Sequence, residues 1–321
     1  MTTPDVSIPK VARGAQHTRP ATAFASARDA FGAFLDAADI PAGETVLLPA
    51  FVGWSANEGS GVFDPVRRLG VGYRFYPMTD ALRIDVERLA EILAEGRTRV
   101  LVVIHFFGYV DPEMAAVVAL ARRHGVLVLE DEAHAMLTDL VGGASGRQGD
   151  AAVFSLHKLL PVPDGGMLVF NDAGHPLRAR VRPGDARDVQ LWDYDLQRIA
   201  AQRIANARVA AEAVEALGDL RGELTPLWDG LPAGVVPQTY PVVVEHVSRD
   251  ALYFAMNEAG FGVVSLYHTM VAEIDADAFP AAHRLARRIL NLPVHQDADA
   301  DRIRALVAEL GRQTRRLRDA R

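Results

Sequence analysis

The feature that most restricts this chain is an unbroken apolar run at residues 100–104, a helix-spaced segment at 112–123, Gly125, and a second apolar run at 126–129. Strands without polar alternation must be buried on both faces, and a helix between two of them makes the pair parallel, as a βαβ unit. The expected fold class is therefore α/β. Ligands in such sheets collect at the carboxyl ends of the strands. Glu130, Asp131, Glu132 and His134 lie just past one of those ends, and a further apolar strand at 151–156 delivers Lys158.

Lys158 is chemically distinctive. The 321-residue chain holds 34 Lys and Arg together, yet only two are lysines, Lys10 and Lys158. An amine can lose its proton and attack a carbonyl, whereas a guanidinium stays charged. A lone lysine past one buried strand and an acid past another suit pyridoxal phosphate, which needs a lysine for its Schiff base and a carboxylate opposite its pyridine nitrogen. Asp131 is the candidate for the second role. A dianionic phosphate needs hydroxyls and the exposed amides of a helix start, which Ser155, Ser26, Ala27 and Arg28 are placed to supply. An aromatic ring should cover the cofactor face, and Trp54 and Phe51 compete for that position.

Each residue taken singly has a plainer reading: Asp131 as a helix cap, Trp54 and Phe51 as core, His134 as a satisfied core histidine. Only the combination is specific. Glu130 and Glu132 alternate with Asp131, so an extended backbone turns them to the opposite face. His105, His157, His268 and His295 show no metal-ligand spacing, and no metal site is expected.

Composition narrows the function classes. A net charge of −7 disfavours a nucleic-acid binder, and the absence of cysteine removes thiol chemistry, disulfides and thiolate zinc sites. No apolar run approaches a membrane span or a signal-peptide core, so a cytoplasmic protein acting on small molecules is expected. Periodicity predicts a helix over 21–38, strands at 45–48, 166–170, 240–244 and 262–267, helices at 197–217 and 249–259, and two helices flanking Leu292 and Pro293. The expected organisation is a leader at 1–19, a large cofactor-binding domain at 20–190, a connecting helix and linker at 191–234, and a small α+β domain at 235–321.

The stretch His105, Phe106, Phe107, Gly108, the run Glu130, Asp131, Glu132, Ala133, His134, and the segment from Gly149 through Ser155 and Lys158 to Gly166 resemble the DegT/StrS family. The resemblance returns at Tyr240 and Pro241 and at Leu292 to His295. It implies a fold type I pyridoxal phosphate-dependent transferase, with a mainly parallel central sheet flanked by helices and a smaller C-terminal α+β domain. It also implies an aminotransferase, using glutamate or glutamine as donor and a keto sugar or related keto compound as acceptor, that works as a homodimer. Lys158 would then carry the cofactor and move the proton at the reacting carbon. Asp131 would face the pyridine nitrogen and His134 the phenolic oxygen, with Ser155, Ser26, Ala27 and Arg28 at the phosphate. The family's sugar dehydratases carry His in place of this lysine. Three local departures stand out: Ala27 and Arg28 replace a Gly-Thr pair, Ser155 and Lys158 are closer in sequence than usual, and Glu132 occupies a small-residue position. Another pyridoxal phosphate reaction (elimination, racemisation or decarboxylation) and a non-catalytic scaffold are the alternatives.

Overall fold

The computed structural model describes residues 19–184 and 191–320; the expected leader falls outside the described residues except for Arg19. The chain begins with strand β1 (Ala21–Phe24) and helix α1 (Ala27–Ala38), followed by β2 (Thr45–Pro49), α2 (Phe63–Leu69), β3 (Gly72–Tyr76), α3 (Val86–Ala94), β4 (Thr98–Ile104), α4 (Met114–Arg123), β5 (Leu127–Asp131), β6 (Ala151–Ser155) and β7 (Gly166–Phe170). These strands form one seven-stranded sheet in the order β1-β7-β6-β5-β4-β2-β3. From β6 to β3 every neighbour is parallel, and β7 and β1 close one edge with antiparallel pairings. The βαβ unit expected around residues 100–129 is β4-α4-β5, at the middle of the sheet.

The remaining elements are α5 (Leu196–Glu215), β8 (Leu224–Pro226), β9 (Thr239–Val244), α6 (Arg249–Glu258), α7 (Pro280–Ala286), β10 (Ile289–Pro293) and α8 (Ala300–Asp319). Strands β10, β9 and β8 make a small antiparallel sheet. Its core, which includes Val242, Leu252, Leu292 and Leu310, is separate from the apolar layers packed on the large sheet.

Two expectations are corrected. Residues 21–24 form a strand, not the first turn of a helix, because their backbone pairs with β7, whose outer edge would otherwise be bare. Helix α1 starts only at Ala27, where Ser26 takes an extended conformation and its hydroxyl oxygen accepts from the Asp29 N–H. Residues 262–267 form no strand either. Val264 makes a single bridge to Asn291, then the Leu266 N–H bonds the Asn291 side chain at 3.1 Å and Tyr267 turns left-handed at φ 64.

Among the described residues, no helix is long and apolar enough to cross a membrane.

Candidate active site

A cavity of about 690 Å³ opens at the carboxyl ends of β4, β5 and β6, where Ile104, Asp131 and Ser155 line it. Its other walls are the N-terminus of α1, the loop after β2 and the segment around Tyr267. Lys158 lies just after β6, with an accessible face toward the cavity. The side chain is exposed to the cavity, yet the protein crowded around its amine lowers its pKa through partial desolvation, against the opposing pull of the Asp131 and Glu58 carboxylates.

The Lys158 Nζ is 3.2 Å from His134 Nε2. The other ring nitrogen of His134, Nδ1, accepts the Phe107 backbone N–H at 3.3 Å. A nitrogen that accepts carries no proton, so the His134 proton sits on Nε2 and points at the lysine. Burial alone pushes the His134 pKa well down, and a proton on Lys158 would push it the same way, so the ring stays neutral in either state of the amine. A neutral imidazole donating from Nε2 needs a lone pair on the amine. The geometry thus favours an unprotonated, nucleophilic Lys158. The unusual backbone of Phe107, left-handed at φ 57, aims its N–H at His134.

Asp131 closes β5 with one carboxylate oxygen accepting the Ala133 N–H at 2.8 Å. Burial pushes its pKa up, while the Lys158 charge holds it down. Alternation along the extended chain turns Glu130 and Glu132 away from the cavity, where His105 meets both, at 2.8 and 3.3 Å. His105, Glu130 and Glu132 each offer one atom in a group compact enough for a cation. Spacing along the chain could not reveal this group, because 25 residues separate the histidine from the first glutamate. Glu130 is already well supplied, accepting the N–H groups of Gly146, Gln148 and Gly149 as well as His105. Glu132 accepts the Ser145 hydroxyl at 2.7 Å, and burial pushes its carboxyl well above its ordinary value.

The phosphate candidates meet at the start of α1. The N–H groups of Ala27 and Arg28 find no protein acceptor among the described residues, and both residues line the cavity. The Ser26 hydroxyl is engaged locally, donating to the Asp29 carboxylate at 2.7 Å. Arg28 donates to the Glu58 carbonyl and lies 3.6 Å from Asp64, tying α1 to the loop after β2 and to the start of α2. Ser155 is buried in the cavity wall with a long 3.5 Å contact to His157. Gly166 is essential to this arrangement, since a Cβ there would stand 2.3 Å from the Ser26 carbonyl atoms and 2.4 Å from the Ala27 nitrogen.

The two aromatic candidates separate. Trp54 lines the cavity and is 41% exposed. Phe51 is fully buried below the cavity wall against Tyr267 and Phe106, with ring centroids 5.1 and 5.6 Å away. Sequence reasoning missed Glu58 and Tyr267. Neither belongs to a motif, and both reach the cavity from segments distant in sequence.

The set suits pyridoxal phosphate on its own chemistry: an amine poised as a nucleophile, a buried carboxylate beside it, and free helix amides in one cavity. Comparisons with known proteins agree. The chain is 27% identical over 323 aligned residues to a UDP-N-acetyl-3-dehydro-alpha-D-glucosamine 3-aminotransferase of Acidithiobacillus ferrooxidans, covering 90% of this chain and 83% of the relative. It is 26% identical to the GDP-perosamine synthase of Caulobacter vibrioides, covering 71% and 70%. Its fold matches the crystal structure of an aminotransferase from Psychrobacter cryohalolentis with a TM-score of 0.76 at 20% identity, covering 95% and 89%. The model of the DegT/DnrJ/EryC1/StrS aminotransferase family matches residues 11–182, more than half of the sequence, so the chain belongs to that family.

Proposed function

We propose that this protein uses pyridoxal phosphate, held through Lys158, to transfer an amino group from glutamate or glutamine to a keto sugar or related keto compound. The observation that carries this reading is the Lys158 amine, 3.2 Å from His134 Nε2 in a cavity that Asp131 also lines. When bound, pyridoxal phosphate supplies an electron sink for the carbon that loses its proton. The chain's own residues do the rest. Lys158 would hold the cofactor through its amine, with loss of water from the cofactor's aldehyde, and would carry a proton at the reacting carbon. Asp131 holds the proton on the pyridine nitrogen. His134 offers its Nε2–H to an oxygen acceptor beside Lys158. The free amides of Ala27 and Arg28 bind the phosphate at the positive end of α1, with Ser26, Ser155 and the Arg28 guanidinium around them. Trp54, which lines the cavity, would cover a face of the cofactor. The names of the two relatives, a UDP-sugar aminotransferase and a GDP-perosamine synthase, support a sugar acceptor.

The test is the visible spectrum of purified protein with pyridoxal phosphate, for wild type and Lys158→Arg, before and after glutamate or glutamine. An absorption band present only in wild type, and lost when the amino donor alone is added, is the expected result. A lysine-dependent band that no amino donor alters would exclude transamination. The absence of any lysine-dependent band would exclude the cofactor assignment.

A further inference from the structure

The segment from Val264 to Val271 crosses from the small sheet to the active-site cavity and is anchored at both ends. On the small-sheet side, Val264 bridges Asn291, the Asn291 side chain takes the Leu266 N–H, and the Ser265 hydroxyl donates to the Ile289 carbonyl at 3.0 Å. On the large-sheet side, the Val271 N–H bonds the Val52 carbonyl at 3.0 Å and the Trp54 N–H bonds the Thr269 carbonyl at 3.0 Å. Tyr267 lies between these anchors with φ 64. A residue other than glycine in that region is strained and persists only where its surroundings impose it.

The strain has a visible consequence. It turns the Tyr267 ring inward, over Gly53, where an added Cβ would come 2.9 Å from the ring. The ring then packs among Phe51, Phe106 and Phe107, with centroids 5.1, 5.4 and 5.9 Å away, and meets His134 at 5.9 Å and 64°. Phe107 stacks on His134 at 5.9 Å and 18°. The imidazole that faces Lys158 is thus bounded by one stacked ring and one ring at a steep angle, both within aromatic contact range. Phe107 comes from the large sheet, whereas Tyr267 arrives from the strap anchored to the small one.

We propose that Tyr267 is a positioning residue: its ring holds His134 in the orientation that presents Nε2–H to Lys158, and the Val264–Val271 strap makes that orientation depend on the docking of the small sheet. This rests on the reading of Lys158 as the reactive amine. Because the ring does the positioning, Tyr267→Phe keeps the function and Tyr267→Ala removes it. Gly53→Ala, which displaces the ring without changing Tyr267, mimics the loss.

The experiment combines nitrogen NMR of histidine-labelled protein without cofactor with steady-state kinetics of the loaded enzyme. In wild type and Tyr267→Phe, His134 shows one tautomer, protonated on Nε2. In Tyr267→Ala and Gly53→Ala the two His134 nitrogens move toward averaged shifts, and kcat falls roughly 10- to 100-fold, the scale of an ångström-level misplacement, with the donor KM within about twofold. An unchanged His134 signal in both the Ala and the Gly53 variants overturns the proposal. So does a Tyr267→Phe variant as impaired as Tyr267→Ala, which would assign the effect to the hydroxyl. If Tyr267→Ala fails to fold, Gly53→Ala decides. If wild type forms no lysine-dependent band, the cofactor reading has failed, and the NMR comparison still tests the positioning of His134.

Discussion

Gly166→Ala tests how the anion-binding end of the cavity is built. Gly166 is paired on both sides, with Phe24 of β1 and Ser155 of β6, and it abuts the first peptide of α1. An added Cβ would lie 2.3 Å from the carbonyl carbon and oxygen of Ser26 and 2.4 Å from the Ala27 nitrogen. Carbon contacts settle near 3.5–4.0 Å, so relief requires a shift of roughly 1 Å. All three obstructing atoms are backbone, and no side chain can swing away. Overpacking of this kind costs ~1–3 kcal/mol, and the rigid surroundings place this case near the upper figure. For 321 residues, an unfolding entropy of about 2.1 cal/mol/K per residue converts ~3 kcal/mol into a melting-temperature loss of roughly 4–5 °C. The same shift moves the free amides of Ala27 and Arg28, and we expect pyridoxal phosphate to bind at least ~10-fold more weakly, a loss of about 1.4 kcal/mol. The assay is thermal unfolding without cofactor, followed by a cofactor titration. Gly218→Ala, with nothing within 4 Å of the added carbon, is the control. A Gly166→Ala protein that melts with the control and binds cofactor like wild type would refute the close-approach argument.

Three other perturbations bear on the site. Lys158→Arg abolishes the visible band described above, because a guanidinium cannot form the bond. Asp131→Asn leaves the lysine-dependent band but lowers kcat by roughly 100- to 1,000-fold, the scale of losing one preorganised electrostatic partner; a kcat within a few-fold of wild type would remove Asp131 from the pyridine nitrogen. Burial lowers the His105 pKa, but Glu132 and Glu130 outweigh it and lift the imidazole to about 9. An imidazole raised on folding stabilises the protein fully below its unfolded value of about 6.5, and that stabilisation is lost as pH rises through about 9. Urea midpoints measured at pH 6.5 and 9 should therefore fall more for wild type than for His105→Gln, and equal declines would show that His105 does not titrate as assigned.

What was legible in the sequence follows the range of the forces involved. The apolar runs at 100–104 and 126–129 could only be central strands, because nothing but a doubly covered sheet buries both faces, and they are the cores of β4 and β5. Lys158 and Asp131 were legible for the same reason, since strand ends fix where the next residues emerge. Illegible features depended on partners far away in sequence. Alanine-rich residues 21–24 have helix-forming composition, yet β7 offered a bare edge and won. Phe51 and Trp54 are three residues apart in one aromatic loop, and only the arrival of Tyr267 over Gly53 consigns Phe51 to the core. Tyr267 left no local signal because strain imposed by anchors at Asn291 and Val52 determines its conformation.

The alternation of β5 shows why Glu132 can depart from a small residue without disturbing the cavity. The strand divides two charged environments a single residue apart. Asp131 faces Lys158, whereas Glu130 and Glu132 face His105, and no side chain reaches through the backbone. A carboxyl added beside Asp131 on its own face would have set two negative charges against one lysine and raised the pKa of both acids. Placed behind the strand, Glu132 instead finds the Ser145 hydroxyl and the His105 imidazole. Its link to the cavity runs through the His105 imidazole it contacts, whose positive form helps hold down the Asp131 pKa. Substituting Glu132 should consequently alter the protonation of His105 first and that of Asp131 second, and leave the contact between Lys158 and His134 in place.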